Sequence, residues 1–361
     1  MEITKVDKNF KAKEIESFKS NVYKIPNEHF ALYGAYYDDE YGFIKMPVDL
    51  AESISPGVLR GARCTDGTRL LFSTNSKIIE ISGTLYSKCW MHHMPLIASA
   101  GFTLCEVIDG KELFIGNLTP SADTTNENFL AQLNLNGGKL RDYILYFPLY
   151  SGVTSLNIRL EEGSVVQKYQ KYSSLKPILY YGSSITQGGC ASRTDNCYQA
   201  LISKWTNTDY YMLGFSGSAK GEPAMASAIR DIDCGIFVCD YDHNASTLDD
   251  LRKTHLPMYK IFREREENKD VPIIFVTRPT FVETQDTAER FEIIRDTYLY
   301  AKSIGDNNVY IIDGRKFYPE NLREHCSVDG VHPNDLGFYF MAKGIYDEII
   351  ANNLIPVKIN N

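Results

Sequence analysis

The chain has 361 residues, 43% of them hydrophobic and 23% charged, with a formal net charge of −8. That length favours two domains over a single core. The acidic balance, with no basic block to track a phosphate backbone, speaks against a nucleic-acid partner, and no apolar run reaches the roughly 18 residues of a membrane span.

The opening Met1-Glu2-Ile3-Thr4-Lys5 lacks the charged-then-apolar layout of a signal peptide. Read as a native start, it predicts a cytoplasmic protein. The eight cysteines are Cys64, Cys89, Cys105, Cys190, Cys197, Cys234, Cys239 and Cys326. None forms a Cys-x-x-Cys pair with a metal-like second half. They read as reduced thiols, mostly buried, with a Cys190–Cys197 bridge left open.

Residues 1–172 show little helical periodicity. They carry short β-rich runs: Lys77–Gly83, Glu112–Gly116, Tyr143–Phe147 and the alternating Ser155–Leu160. Asp109-Gly110, Asn136-Gly137-Gly138 and Glu162-Gly163 punctuate them as turns. This pattern predicts an all-β, jelly-roll-like sandwich over 1–172. The 24 tyrosines and 18 phenylalanines, many in this half, suit β-structure. Tyr36, Tyr37 and Tyr41 could stack on a sugar, although packing accounts for each one singly. His92-His93 beside Trp90 has the look of a metal or sugar site. No further ligand stands at metal spacing, so the pair reads as structural and no metal is expected.

The polar stretch Lys168–Ser174 marks a change of rhythm. Beyond Pro177 continuous apolar runs alternate with helical patterns. The runs Ile178–Tyr181, Tyr210–Leu213, Ile236–Cys239, Ile273–Val276 and Val309–Ile312 have the composition of strands covered on both faces. Between them, Gln285–Ser303 repeats apolar residues at helical spacing and stops before Gly305. Residues 177–361 are therefore expected to form a parallel, doubly wound α/β domain of flavodoxin-like, three-layer α/β/α type. Chemistry in such sheets sits past the carboxyl ends of the strands.

Three of those ends carry chemistry-bearing residues. Gly182-Ser183-Ser184 follows the first run, and Ser184 is a nucleophile in search of a base. A helix directly after it would aim N–H groups at the site. Gly214-Phe215-Ser216-Gly217 follows the second run, and Gly217 can bring a backbone N–H close to a substrate. Asp240-Tyr241-Asp242-His243-Asn244 follows the third, and Asn244 offers a side-chain amide. Taken singly, each of these is equally a turn residue. Asp329-Gly330-Val331-His332-Pro333-Asn334 adds a carboxylate and an imidazole three residues apart, which is the pairing of a general base and its orienter. Asn334 or Asp335 can cap the helix that follows. His243 is a second imidazole, but without so well placed an acid. Arg193, after the serine turn, and Arg278, after the fourth run, are candidate substrate contacts.

In this order the motifs resemble the SGNH/GDSL hydrolase superfamily, specifically its two-domain bacterial members with an N-terminal sandwich, among them carbohydrate esterases. The resemblance covers residues 178–361. It implies a Ser184–His332–Asp329 triad and an oxyanion hole made by the Ser184 and Gly217 N–H groups and the Asn244 amide. Two departures stand out. Ser183 replaces the aspartate of Gly-Asp-Ser, and Asp242-His243-Asn244-Ala245 lacks the glycine and final acid of Gly-x-Asn-Asp. The implied activity is carboxylic ester hydrolysis without metal or organic cofactor, on small acyl groups such as acetyl carried by carbohydrates. Two alternatives stand beside it: a lipid or thioester acylhydrolase, and a non-catalytic glycan-binding protein. Oligomeric state is not set by any of these residues.

Overall fold

The computed structural model describes residues 15–121, 123, 125–173 and 175–355. The Met1–Lys5 start, Ser174 and the last residues of the chain lie outside the described residues. In the first half the strands are β1 (Ser20–Ile25), β2 (Ala31–Tyr33), β3 (Tyr36–Asp38), β4 (Gly42–Ile44), β5 (Arg69–Thr74), β6 (Ile78–Leu85), β7 (Phe102–Ile108), β8 (Lys111–Leu118), β9 (Asn128–Asn134), β10 (Arg141–Tyr146), β11 (Val153–Glu161) and β12 (Val166–Lys168). Asp109 and Gly110 take φ of 51° and 77° and close the β7–β8 hairpin. The strands form two antiparallel sheets. One runs β3-β4-β11-β6-β9 with β1 on β11; the other runs β12-β5-β10-β7-β8 with β2 on β5. They enclose a core that includes Phe43, Phe72, Ile81, Phe102, Leu145 and Leu156. This is the expected sandwich.

Three short helices interrupt this half: α1 (Val48–Ile54), α2 (Pro56–Ala62) and α3 (Leu96–Ser99). The sequence reading placed none there. Each spans two turns or fewer, too little for apolar periodicity to register. The local signal of α2 is its cap instead. Ser55 accepts a hydrogen bond from Val58 N, and Pro56 occupies the first helical position of α2.

The second half alternates as expected. It runs β13 (Ile178–Gly182), α4 (Tyr198–Thr206), β14 (Tyr210–Gly214), α5 (Pro223–Arg230), β15 (Ile236–Asp240), α6 (Leu248–Phe262), β16 (Ile273–Val276), α7 (Gln285–Ser303), β17 (Val309–Ile312) and α8 (Asp335–Ala351). The five strands are parallel, in the order β14-β13-β15-β16-β17. Both faces of this sheet are covered. Ile178 and Tyr180 enter one core while Leu179 and Tyr181 enter the other. Gly305 takes φ 87° just past α7, and Asn334 caps α8 by accepting from Gly337 N at 3.1 Å. All eight cysteines are free thiols, Cys190 and Cys197 included.

The halves share a core. On β10, Tyr143 and Leu145 point into the sandwich, whereas Ile144 and Tyr146 pack with Ile178, Tyr180 and Tyr210 of the α/β half. On β5, Leu70 and Phe72 face inward and Leu71 faces the α/β half. Polar groups seal the seam. Arg69, fully buried, donates to Asp209 Oδ1 at 2.7 Å and to the Tyr210 carbonyl at 2.9 Å.

Deep in the α/β half, His255 is 2% exposed and its Nδ1 lies 2.9 Å from Thr297 Oγ1. Burial pushes its imidazole down to about 4 from the ordinary 6.5. The unfolded chain therefore takes up this proton near pH 6.5 and the folded chain only near pH 4. Stability contributed by the neutral ring is lost as pH falls through that window, on the order of 3 kcal/mol. Urea midpoints of His255→Gln should fall less steeply than wild type between neutral pH and about pH 4. An equally steep fall would contradict this assignment.

Candidate active site

The parallel sheet places four of the predicted site residues at one edge. Ser184 follows β13, Gly217 follows β14, Asn244 follows β15 and Arg278 follows β16. The strand order reverses direction about β13, the place where a crevice opens in such sheets.

Ser184 sits in a tight chain of turns. Gly182 precedes it because a side chain there would meet Thr186 Oγ1 at 2.0 Å and the Asp240 carbonyl at 2.2 Å. The helix expected directly after the serine is not present. Residues 183–190 form successive hydrogen-bonded turns, and α4 begins only at Tyr198. Gly188 and Cys190 take φ of 89° and 73°, which no α-helix accommodates.

His332 reaches the serine from the far end of the domain. Its Nε2 lies 2.8 Å from Ser184 Oγ. Its Nδ1 lies 2.7 Å from Asp329 Oδ2. The spacing Asp-x-x-His has a local cause. Asp329 Oδ1 accepts from Val331 N at 3.0 Å and from His332 N at 2.7 Å, an Asx-type turn that folds the carboxylate back beneath the ring. Gly330, at φ 82°, makes that turn possible. Against the cost of burial, the hydrogen bonds from His332 and Val331 hold the Asp329 carboxyl down to about 2. It is an anion at any working pH and fixes Nδ1 as the protonated ring nitrogen.

Gly217 has φ 68°, and a Cβ on it would meet nothing within 4 Å. The glycine is there for its backbone conformation. Asn244 Oδ1 accepts from Ala219 N at 3.4 Å, which leaves its amide nitrogen free to donate. Among the described residues, Ser184 N, Gly217 N and Asn244 Nδ2 have no acceptor.

The two arginines are committed elsewhere. Arg193 donates to Asp195 and Asn196 and lies over the Phe114 ring at 4.1 Å. Arg278 clamps Asp242 through its backbone N at 3.0 Å and its guanidinium. Against the cost of burial, that guanidinium holds the Asp242 carboxyl below the usual range. Arg278 thus secures the turn that carries Asn244. Burial, then Arg278, pushes the His243 imidazole down to about 4, so it stays neutral; among the described residues its buried Nε2 has no partner.

The sandwich supplies further groups to the site, of which the sequence singled out only His93. Tyr150 OH donates to the Ser184 carbonyl at 3.1 Å. Gly189 lacks a side chain where a Cβ would meet Tyr150 Oη at 2.7 Å and His332 Cδ2 at 3.3 Å. The His93 ring centre lies 5.9 Å from that of His332. No periodicity marks these residues, because the contact is between halves. Tyr36, Tyr37 and Tyr41 line a separate cavity of about 500 Å³ with Asp38, Asp49 and Glu52. Lys45, fully buried, donates to Asp66 Oδ1 at 2.6 Å and to the Gly214 carbonyl. It ties the sandwich to the loop bearing Gly217.

Residues 175–351 match the family model described as "GDSL-like Lipase/Acylhydrolase family", and residues 22–166 match one described as "N-terminus of Esterase_SGNH_hydro-type". The chain belongs to the SGNH/GDSL hydrolase superfamily. A Bacteroides ovatus protein described as a GDSL-like lipase has a similar structure, with a TM-score of 0.84 at 26% identity over 94% of this chain and 100% of its own. A salicylyl-acyltransferase from a tetracycline biosynthetic pathway superposes with a TM-score of 0.77 at 19% identity, covering 94% and 99% of the two chains. A family two carbohydrate esterase from Cellvibrio japonicus shares the fold at a TM-score of 0.60 and 10% identity, covering 92% and 98%. No curated protein matches the chain. In this SGNH/GDSL hydrolase, then, both the sandwich and the α/β domain are those of the family.

Replacing Lys45 by Met should leave Asp66 buried without its partner and cost about 3 kcal/mol. Adding Asp66→Leu should restore much of that loss, since an apolar pair can replace a buried ion pair. Chemical denaturation of the single and double variants measures both. A double variant no more stable than the single one would contradict the pairing argument.

Proposed function

We propose that the protein is a serine esterase that removes small acyl groups, acetyl foremost, from carbohydrates. One observation carries the reading: Ser184 Oγ, the His332 ring and the Asp329 carboxylate form a continuous hydrogen-bonded series of 2.8 and 2.7 Å. In this reading His332 Nε2 removes the Ser184 proton as the oxygen attacks the ester carbonyl. The oxyanion that forms takes the three unpaired donors, Ser184 N, Gly217 N and Asn244 Nδ2. Collapse expels the alcohol, which leaves with the proton from His332. Water, deprotonated by the same ring, then attacks the acyl-enzyme and releases the acid.

The substrate class is argued from exposure. The side chains of His332 and Asp329 are 22% and 37% exposed, so the proposed base and its carboxylate are open to water. A bulky, polar alcohol can sit there without desolvation, whereas a long acyl chain needs a buried channel. In this reading Trp90, 57% exposed and three residues before His93, would offer its ring to a sugar.

Ser184→Ala should abolish hydrolysis of 4-nitrophenyl acetate and of acetylated oligosaccharides while the protein stays folded. Asp329→Asn should lower kcat by about 10³-fold or more, since it removes the group that sets the His332 tautomer. Asn244→Ala should cost about 10²-fold in kcat. Turnover that persists in Ser184→Ala would sink the assignment. Ser184-dependent release from long-chain or thioester substrates, but not from acetylated sugars, would keep the mechanism and overturn the substrate class.

A further inference from the structure

Beside the proposed triad lies a group of side chains that the hydrolytic cycle does not use. His93, from the sandwich, and Cys190, from the nucleophile turn, converge on His332. One ligand atom of each lies within 4.8 Å of the others. Around a tetrahedral zinc ion, ligand atoms stand roughly 3.5 Å apart, as bond lengths near 2.1 Å for nitrogen and 2.3 Å for sulfur require. Closing from the observed spacing takes side-chain movements on the order of 1 Å.

Three further observations single out this cluster. His93 Nδ1 is buried and has no hydrogen-bond partner among the described residues. Cys190 is 5% exposed, and its thiol makes no hydrogen bond among the described residues. Its backbone holds φ 73°, a conformation that favours glycine, directly after two glycines. A non-glycine kept in such a conformation beside a site is a mark of function. The third ligand is already oriented. Asp329 holds His332 Nδ1, which leaves Nε2, 2.8 Å from Ser184 Oγ, as the nitrogen open to a metal. A carboxylate on the second ring nitrogen is the arrangement that metal-bound histidines favour.

We propose that His93, Cys190 and His332 form an inhibitory site for a thiophilic divalent cation, zinc above all. The ion bonds to both imidazoles and to the Cys190 sulfur, whose proton passes to solvent. Water completes the tetrahedron. Nitrogen and sulfur ligands select zinc over magnesium or calcium, which take oxygen. The lone pair on His332 Nε2 can serve the metal or Ser184, never both. Occupancy therefore breaks the Ser184–His332 hydrogen bond and stops turnover reversibly. The inhibitory half of this proposal rests on His332 being the base; the binding half does not, and the two are read separately.

The test uses the full chain with zinc ion alone, and cobalt(II) as its spectroscopic stand-in. Equilibrium dialysis should find one zinc per chain, held at micromolar concentrations. Cobalt should show a thiolate charge-transfer band that Cys190→Ser abolishes. Zinc should suppress 4-nitrophenyl acetate hydrolysis and a chelator should restore it, with magnesium inert. Cys190→Ser and His93→Gln, each compared with its own metal-free rate and melting curve, should need at least tenfold more zinc for half-inhibition. Equal zinc binding by wild type and both variants would overturn the site. Stoichiometric zinc binding that leaves turnover intact would overturn the inhibition, whereas the triad itself stands or falls with Ser184→Ala and Asp329→Asn.

Discussion

The inner strands β5, β10 and β7 of one sandwich sheet are buried on both faces, and the rest of the molecule depends on that. Strand β10 makes the constraint visible. Alternate residues of Arg141–Tyr146 serve two different cores, one inside the sandwich and one against the parallel sheet. Each large apolar side chain so buried contributes roughly 2 kcal/mol relative to exposure. Separated from its partner, the sandwich would present Leu71, Ile144, Tyr146 and Leu149 as a contiguous apolar patch, and α4 and β14 would lose their cover. The seam is closed by buried charge as well. Arg69 meets Asp209, and Lys45 meets Asp66 and the Gly214 carbonyl. Such pairs add little net stability but penalise any other register strongly.

The consequence for chemistry is that the site belongs to both halves. The parallel sheet delivers Ser184, Gly217 and Asn244 on loops that leave adjacent strands, and the Asx-type turn at Asp329 delivers His332. The sandwich then fixes the other side, with Tyr150 on the serine carbonyl and Lys45 behind the Gly217 loop. Preorganised donors of this kind act at no reorganisation cost when charge develops. Arg278 and Arg193 belong to the same economy of position. Each holds a carboxylate and so a turn, rather than facing solvent.

Much of this was legible in the sequence, for physical reasons. Strands buried on both faces read as continuous apolar runs, so all five parallel strands stood out within a residue or so of their ends. Helix α7 announced itself by period and by Gly305. The Asp-Gly-Val-His-Pro-Asn stretch marked a carboxylate–imidazole pair and a cap together. What escaped notice was of two kinds. Helices α1 to α3 are too short to show a period. The turns after Ser184 masquerade as a helix start until Gly188 and Cys190 take positive φ. Contacts between halves also leave no local trace. Nothing in His92-His93 tells that a residue more than two hundred positions later completes its surroundings, so the pair read as structural when it borders the serine's own histidine.

The claim that the halves form one unit is open to a direct measurement, differential scanning calorimetry of the intact chain. The shared core predicts a single transition whose calorimetric and van't Hoff enthalpies agree, because each half alone would expose the apolar face that it now buries against the other. Two resolved transitions, one for a surviving sandwich and one for a surviving parallel-sheet domain, would contradict it. In that case the placement of Tyr150, His93 and Lys45 at the site would lose its structural cause.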